Sequence, residues 1–224
     1  MVEDFMSILS QVSLQFDKED SRLWNDPPSY TFSVKSAYNK LGNHGFGGVS
    51  MFGSLWSLKV MPSTMFYVWR AFSNRLVTKQ NLHKRGVSLG DTLCILCGRE
   101  EETIAHTLLS CRESCKVWNM CFSWMGICSV NHNEMINHFE QFSCMCFNKE
   151  VNMLWKSLWV LIVWCIWKHR NKVIFNQAKI DAEEIFTMTQ VQSWIWLKHK
   201  EKRVMFSFSD WILSPVTCIN MVTN

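Results

Sequence analysis

The stretch Thr92–Cys111, "TLCILCGREEETIAHTLLSC", places two cysteines close together, followed by a histidine and a third cysteine. Cys94 and Cys97 are separated by two residues, a spacing that lets a tight turn direct two thiolates at one ion. His106 and Cys111 then supply an imidazole and a third thiolate. Three sulfurs and one nitrogen are a common ligand set for tetrahedral zinc. The spacing therefore predicts a zinc site in this stretch.

The same ligand set indicates the role of the ion. A catalytic zinc keeps one coordination position for water or substrate, whereas four protein ligands close the site. We therefore expect a structural Zn²⁺ ion, whose binding contributes on the order of 10 kcal/mol to folding. Cys115 and His83 are alternative fourth ligands, and the four residues could also be unconnected core residues in a chain with ten cysteines. The spacing alone leaves these alternatives open.

Three consecutive acids, Glu100, Glu101 and Glu102, lie inside the same stretch. Consecutive residues on a helix point in different directions, so these carboxylates do not converge as a catalytic metal site requires. We expect all three to be solvated. The seven histidines also lack Ser or Cys partners at a spacing that indicates a nucleophilic triad. The sequence therefore predicts no catalytic activity and no small-molecule substrate.

The composition is that of a globular protein. Hydrophobic residues make up 48% of the 224 residues and charged residues 19%, which is unlike a disordered chain. The N-terminal residues "MVEDFMSILS" carry acids where a signal peptide has a positive region. We therefore expect a reducing intracellular setting, nuclear or cytoplasmic, with free cysteines. The most apolar segment, Ser157–Trp167, spans eleven residues, whereas crossing a bilayer needs about 20. We expect a buried core helix there and no membrane partner.

Apolar residues recur every three or four positions in each long segment, which predicts a mainly α-helical protein. We expect residues 1–126 to form a zinc-binding domain with its core at 24–118. Residues 127–147 should be a linker with a short helix, 148–203 a long helical hairpin, and 204–224 a loosely packed tail. The turn sequence Asp26-Pro27-Pro28-Ser29 also predicts a small β-hairpin between Trp24 and Val34.

The segment from Lys59 to Gly90 contains no acid, although the net charge of the chain is only +4. Aromatic residues are interleaved with its bases, a combination that can neutralise phosphates and stack on bases. The same aromatics also fit a helical core, and the bases an ordinary solvated face. We expect weak, electrostatic binding of RNA or DNA by the basic residues Lys59, Arg70, Arg75, Lys79, Lys84 and Arg85.

Several motifs carry a family resemblance: "FSVKSAYNKL", "SLWSLKVMPSTMFYVWRAFSNRLVTKQNLHKRGV", and "CILCGREEETIAHTLLSC" followed by "VW". In this order they resemble the zinc-binding domain located downstream of the reverse transcriptase domain in plant LINE-type (non-LTR) retrotransposons. The resemblance runs from about Trp24 to Trp118, and the later "WKHRNKVIFN" is similar to the segment downstream of that domain. It implies zinc ligation by Cys94, Cys97, His106 and Cys111, and an accessory role in handling the element's nucleic acid.

The chain also departs from the family pattern. Where relatives usually show "KVPPKVKFFLWRA", this chain has "KVMPSTMFYVWRA", with Ser63 and Met65 at positions that are commonly basic. This difference indicates reduced affinity for nucleic acid. The chain has neither a polymerase motif nor the convergent carboxylates of a ribonuclease H, so we expect a stand-alone fragment of an element. The alternative function is a zinc-stabilised helical scaffold or protein-interaction domain, or a remnant without selected function.

Overall fold

The computed structural model describes residues 24, 31–34, 36–37, 49–130, 132–142, 149–200 and 204–223. Two compact units are present, Met1–Val49 and Ser50–Asn224. In the first unit, Ser33 begins a helical turn, because its side chain accepts a hydrogen bond from the Ser36 N–H at 3.0 Å. The predicted β-hairpin between Trp24 and Val34 lies largely outside the described residues.

The second unit is helical, which confirms the predicted fold class. The described residues contain no β-strand, only an isolated antiparallel bridge between Leu93 and Glu101. A short π-helical turn, His106–Ser110, comes after that bridge. The α-helices are α1 Val49–Ser57, α2 Pro62–Phe72, α3 Lys79–Lys84, α4 Arg112–Trp124, α5 Met135–Gln141, α6 Lys149–Asn176, α7 Ala182–Lys200, α8 Phe208–Leu213 and α9 Pro215–Thr223.

Local sequence explains where several of these helices begin and end. Pro62 stands in the first turn of α2, where its missing N–H costs nothing. The Thr78 side chain caps α3 by accepting a hydrogen bond from the Asn81 N–H at 3.3 Å. Beyond the end of α3, Gly86 adopts a φ of 82°, a conformation that favours glycine. These boundaries result from turn and cap chemistry in the sequence.

Helix α6 is the centre of the core. It packs against α2, α7 and α9, and α4 packs against α7. Trp155, Leu158, Trp159 and Ile162 are all buried along α6. The predicted hairpin is therefore present as α6 and α7, and its core is continuous with that of the cysteine-containing segment.

Helix α6 is, among the described residues, the one helix long and apolar enough by length and composition to cross a membrane. However, 72% of its apolar window is buried within the structure, and the core helix of a soluble protein passes the same test. The segment Ser157–Trp167 lies in the middle of this helix, as the sequence predicts for a core helix.

The C-terminal segment differs from the expected loosely packed tail. It contains α8 and α9, and the Trp211 side chain is buried. Its indole N–H donates to the Gln190 carbonyl at 3.2 Å and to the Ser193 hydroxyl at 3.0 Å. Two short helices give little periodicity in the sequence. Contacts with α6 and α7 order this segment.

Candidate metal centre

Four potential metal donors converge in the second unit. One ligand atom each from Cys94, Cys97, His106 and Cys111 lies within 4.8 Å of all the others. The Cys94 and Cys111 sulfurs are 3.9 Å apart, and the Cys97 sulfur is 3.3 Å from Nε2 of His106. Tetrahedral zinc requires S–S separations of about 3.8 Å and S–N separations of about 3.6 Å. The donor set therefore fits a structural zinc ion, as the spacing predicts.

The first two donors lie in a small hairpin at residues 92–102, which we call the cysteine knuckle. Its chain reverses at Gly98, whose φ of 63° favours glycine and whose N–H donates to the Cys94 carbonyl at 2.7 Å. The Cys94 N–H in turn donates to the Glu100 carbonyl at 2.7 Å. Backbone hydrogen bonds thus position both thiols on one side of the turn.

The π-helical turn brings the other two donors together. Residues five apart on an α-helix point about 140° away from each other. Here the Cys111 N–H donates to the His106 carbonyl at 2.7 Å, which is the wider bonding pattern of a π-helix. The wider turn compensates for a spacing that a regular helix would place on different sides. Regular helical periodicity does not predict this turn.

A carboxylate supports the histidine from outside the cluster. Glu100 places a carboxylate oxygen 3.2 Å from Nδ1 of His106, within ion-pair distance but outside hydrogen-bond geometry. The backbone N–H of His106 donates to the Thr103 hydroxyl at 3.0 Å. A carboxylate beside the non-ligating nitrogen orients the imidazole and favours Nε2 as the metal ligand.

The thiols of Cys94 and Cys111 also affect each other's ionisation. The hydrogen bond between the two thiols lowers the pKa of Cys94 to about 5 and raises the pKa of Cys111. One thiolate is thus stabilised at the expense of the other. Zinc ligation requires thiolates, so binding of the ion would release protons. Cys94, Cys111 and His106 are buried and Cys97 is half-buried. The site is therefore a closed one.

Neither alternative ligand belongs to the donor cluster in the described part of the chain. The Cys115 thiol donates to the Leu109 carbonyl at 3.3 Å and is not among the converging donors. His83 is exposed on α3. The structure therefore favours the set of donors that the spacing predicts.

Glu102 differs from the expectation that all three acids are solvated. Glu100 and Glu101 are exposed, but Glu102 is fully buried and forms an ion pair with Arg170 of α6. The Arg170 Nε–H donates to the same carboxylate at 3.0 Å. A signal for this pair was available, because Arg170 stands four residues after Ile166 on the buried stripe of α6. A charge in that position needs a partner.

The predicted basic residues remain at the surface, with one exception. Lys79 forms an ion pair of 2.7 Å with Asp91, whose pKa the hydrogen bond from Lys79 lowers. Asp91 lies one residue beyond the acid-free segment from Lys59 to Gly90, so that segment gives no sign of a partner for Lys79. Five of the six predicted bases are exposed: Lys59, Arg70, Arg75, Lys84 and Arg85.

Most aromatic residues of this segment belong to the core. Tyr67 packs against Trp167, with ring centroids 5.7 Å apart, and Phe72 stacks on Trp159 at 5.8 Å. Phe66 is different, because it is 55% exposed and contacts the ring of Trp56. Trp56 was not among the predicted residues, although it lies only three positions before Lys59.

Comparison with known proteins agrees with this site. No curated protein and no solved structure matches the chain. The family model described as zinc-binding in reverse transcriptase matches residues 32–118. The matched segment contains all four donors and ends at Trp118, where the resemblance in the sequence also ends. Residues 32–118 are therefore similar to the zinc-binding domain of reverse transcriptases, and the rest of the chain lies outside the match.

Proposed function

We propose that this protein is a zinc-binding accessory module derived from a plant LINE-type retrotransposon. It binds RNA or DNA weakly and without sequence preference, and it has no catalytic activity of its own. The family match and the closed donor set support the zinc-binding part. The proposal of nucleic-acid binding rests on one observation, the attachment of exposed cations to the cysteine knuckle.

Helix α3 is attached to the knuckle at several points. The Gln80 side-chain amide donates to the Glu101 carboxylate at 2.8 Å, and the Gln80 N–H donates to the Glu102 carbonyl at 3.4 Å. The ion pair of Lys79 with Asp91, the residue directly before the knuckle, adds a third connection. A metal ion that orders the knuckle therefore also orders α3. Lys84 at the end of that helix is exposed and available to phosphates.

The link between α2 and α3 is held in a similar way. The buried Asn81 side chain donates to the backbone carbonyls of Asn74 and Leu76, at 3.1 and 2.9 Å. The Arg70 guanidinium donates to the Arg75 carbonyl at 3.3 Å. These contacts fix the backbone between the two helices. The exposed cations are therefore presented on an ordered surface, which lowers the entropy cost of binding phosphates.

The test is a salt titration of oligonucleotide binding. Three or four phosphate contacts give a log–log slope of affinity against salt of roughly −2 to −4. We expect the replacement of four exposed bases by alanine to flatten this slope while the zinc content stays unchanged. The four residues are Arg70, Arg75, Lys84 and Arg85.

A matched control removes the same charge from other exposed positions. Its four residues are Arg112, Lys116, Lys168 and Lys179. This control variant should retain most of the dependence of affinity on salt that the parent shows. Equal losses in both variants would show that net charge alone governs binding and would contradict a defined surface.

The alternative function is a zinc-stabilised helical scaffold or protein-interaction domain, or a remnant without selected function. The buried ion pair between Glu102 and Arg170 favours a scaffold, because it joins the knuckle to the central helix without involving the surface. Absence of binding to RNA and DNA at low salt would make this alternative the better one.

Two further parts of the proposal concern catalysis and location. Four protein ligands leave no coordination position for water, which supports a non-catalytic ion and no small-molecule substrate. Cys94, Cys97, Cys111, Cys121, Cys128, Cys165 and Cys218 are free thiols in the described part of the chain, which supports a reducing intracellular location.

A further inference from the structure

Two aromatic side chains lie next to each other on the surface of the second unit. Trp56 of α1 is 44% exposed and Phe66 of α2 is 55% exposed. Their ring centroids are 5.6 Å apart, with an interplanar angle of 74°. Single exposed hydrophobic residues are common on protein surfaces, whereas contiguous exposed apolar patches mark binding sites. The pair therefore requires an explanation other than core packing.

Cations lie on the elements that carry this pair and on a helix end that contacts the link between them. Lys59 is exposed in the link between α1 and α2, and Arg70 is exposed one turn beyond Phe66 on the same face of α2. The third cation comes from α7. The Trp196 indole N–H donates to the Lys59 carbonyl at 2.9 Å, and Lys200 lies 5.1 Å over the ring of Trp196. The fold thus brings a distant basic helix end to the link that carries Lys59.

Positive charge dominates on the link, on α2 and at the end of α7, whereas α1 itself carries no charged residue. Helices α1 and α2 contain no acid, and the last three residues of α7 are Lys198, His199 and Lys200. An exposed aromatic pair among cations is complementary to a polyanion that also offers flat aromatic groups. Single-stranded nucleic acid has both properties, whereas a duplex hides the faces of its bases.

We propose that Trp56 and Phe66 form a stacking site for unpaired bases of a single-stranded nucleic acid. Lys59, Arg70 and Lys200 contact the phosphates on either side. This inference rests on the proposed nucleic-acid binding and adds a preference for single strands. Loss of one stacked base lowers affinity by roughly 5- to 150-fold.

The experiment compares three ligands of equal length, on the order of 12 nucleotides, within the range of known site sizes. They are a single-stranded oligothymidylate, an abasic strand with the same number of phosphates, and a duplex. We expect the parent to bind the base-bearing strand more tightly than the abasic strand. The double variant Trp56→Leu with Phe66→Leu should lose at least about tenfold in affinity for the base-bearing strand only.

Two controls separate stacking from a general loss of structure. Phe175→Leu removes another exposed aromatic ring, 76% exposed at the end of α6, and should bind all three ligands as the parent does. Zinc content and thermal unfolding establish that the variants are folded. If the double variant is unstable, the single Phe66→Leu variant provides the same test at the more exposed ring.

The possible outcomes distinguish this inference from the proposed function. A parent that binds the three ligands with equal, salt-dependent affinity, unchanged in the double variant, would overturn the stacking site and leave electrostatic binding intact. A parent that binds none of them at low salt would overturn the proposed function and the stacking site together.

Discussion

His106 joins the two halves of the donor cluster, since its Nε2 lies next to the sulfur of Cys97 while its own carbonyl accepts the N–H of Cys111. Every donor thus depends on at least one other through a direct contact or a shared turn. Because the four side chains act as one set, removal of any single ligand should affect the ion and the surrounding fold together.

Replacement of Cys97 by serine tests this dependence. Cys97 is half-buried, so serine fits the position without creating a large cavity. We expect about one zinc ion per parent chain. The variant should bind zinc more than 100-fold more weakly, because loss of a residue that only hydrogen-bonds to a ligand already lowers metal affinity by about 10- to 100-fold. Competition with a chromophoric chelator measures this change. The exposed Cys128 provides the control, because Cys128→Ser should keep the parent's zinc affinity. Equal affinities for Cys97→Ser and the parent would contradict the assignment.

His138 should make stability depend on pH. It is fully buried, accepts the Trp159 indole N–H at 2.7 Å, and burial lowers its pKa to about 4. The unfolded chain, with a histidine pKa of about 6.5, takes up this proton first. Neutral His138 therefore makes its full contribution to the free energy of unfolding above pH about 6.5. This contribution, about 3 kcal/mol, is lost as the pH falls towards about 4.

Urea unfolding of the parent and of His138→Gln between pH 7 and pH 4.5 measures this effect. Protonation of the zinc ligands affects both proteins and cancels in their difference. We expect the stability of the variant to fall less steeply with decreasing pH. His83→Gln, at an exposed position on α3, should behave as the parent does. Parallel pH profiles for the parent and His138→Gln would exclude His138 as the cause.

Among the helices, local signals predicted some elements and not others. Pro62, the Thr78 cap and the long apolar stripe of α6 identify their helices because the relevant information lies within a few residues. The four metal donors were also predicted from local information, because they lie within 18 residues of one another in the chain. The π-helical turn and the helices α8 and α9 were not predicted, since their conformation depends on tertiary contacts.

The same distinction explains the errors at single residues. Glu102 was expected in solvent because three consecutive acids on a helix point in different directions. Its partner Arg170 is 68 residues away in the chain. Lys79 was expected to be free because Asp91 lies just outside the acid-free segment. A pattern within the sequence shows which residue types are present, but it does not show which distant residue neutralises a charge.

Docking of helix α8 should depend on Trp211. The side chain is 1% exposed and donates to two acceptors on α7. We expect Trp211→Ala to lower the free energy of unfolding by about 3–5 kcal/mol, because it leaves a large cavity and removes two buried hydrogen bonds. Chemical denaturation measures the change. Leu213→Ala, at a side chain that is 80% exposed in the same helix, should cost less than about 0.5 kcal/mol. A similarly small cost for Trp211→Ala would show that α8 is not held by this residue.

At the scale of the second unit, the buried ion pair of Glu102 with Arg170 connects the metal centre to the central helix. Glu102 stands at the end of the cysteine knuckle and Arg170 near the end of α6, and both are buried. Burial raises the pKa of Glu102, while the charge of Arg170 opposes that rise. The guanidinium also lies 4.5 Å over the ring of Trp167. The position of the knuckle on the core therefore depends on keeping both charges present.

Removal of one partner should be more damaging than removal of both. We expect Arg170→Met to lower the free energy of unfolding by about 3–5 kcal/mol, because it leaves a buried carboxylate without a counter-charge. The double variant with Glu102→Gln should recover part of that loss.

The loss in Arg170→Met should also depend on pH. In this variant the pKa of Glu102 rises further, so the folded state binds a proton that the unfolded state has released above pH about 4.5. The stability deficit should therefore grow as the pH increases above that value. Urea unfolding at pH 5 and pH 8 measures this trend, with the exposed Arg112→Met as the control. A deficit that is the same at both pH values, or a double variant that loses the sum of the two single losses, would show that the two charges do not stabilise each other.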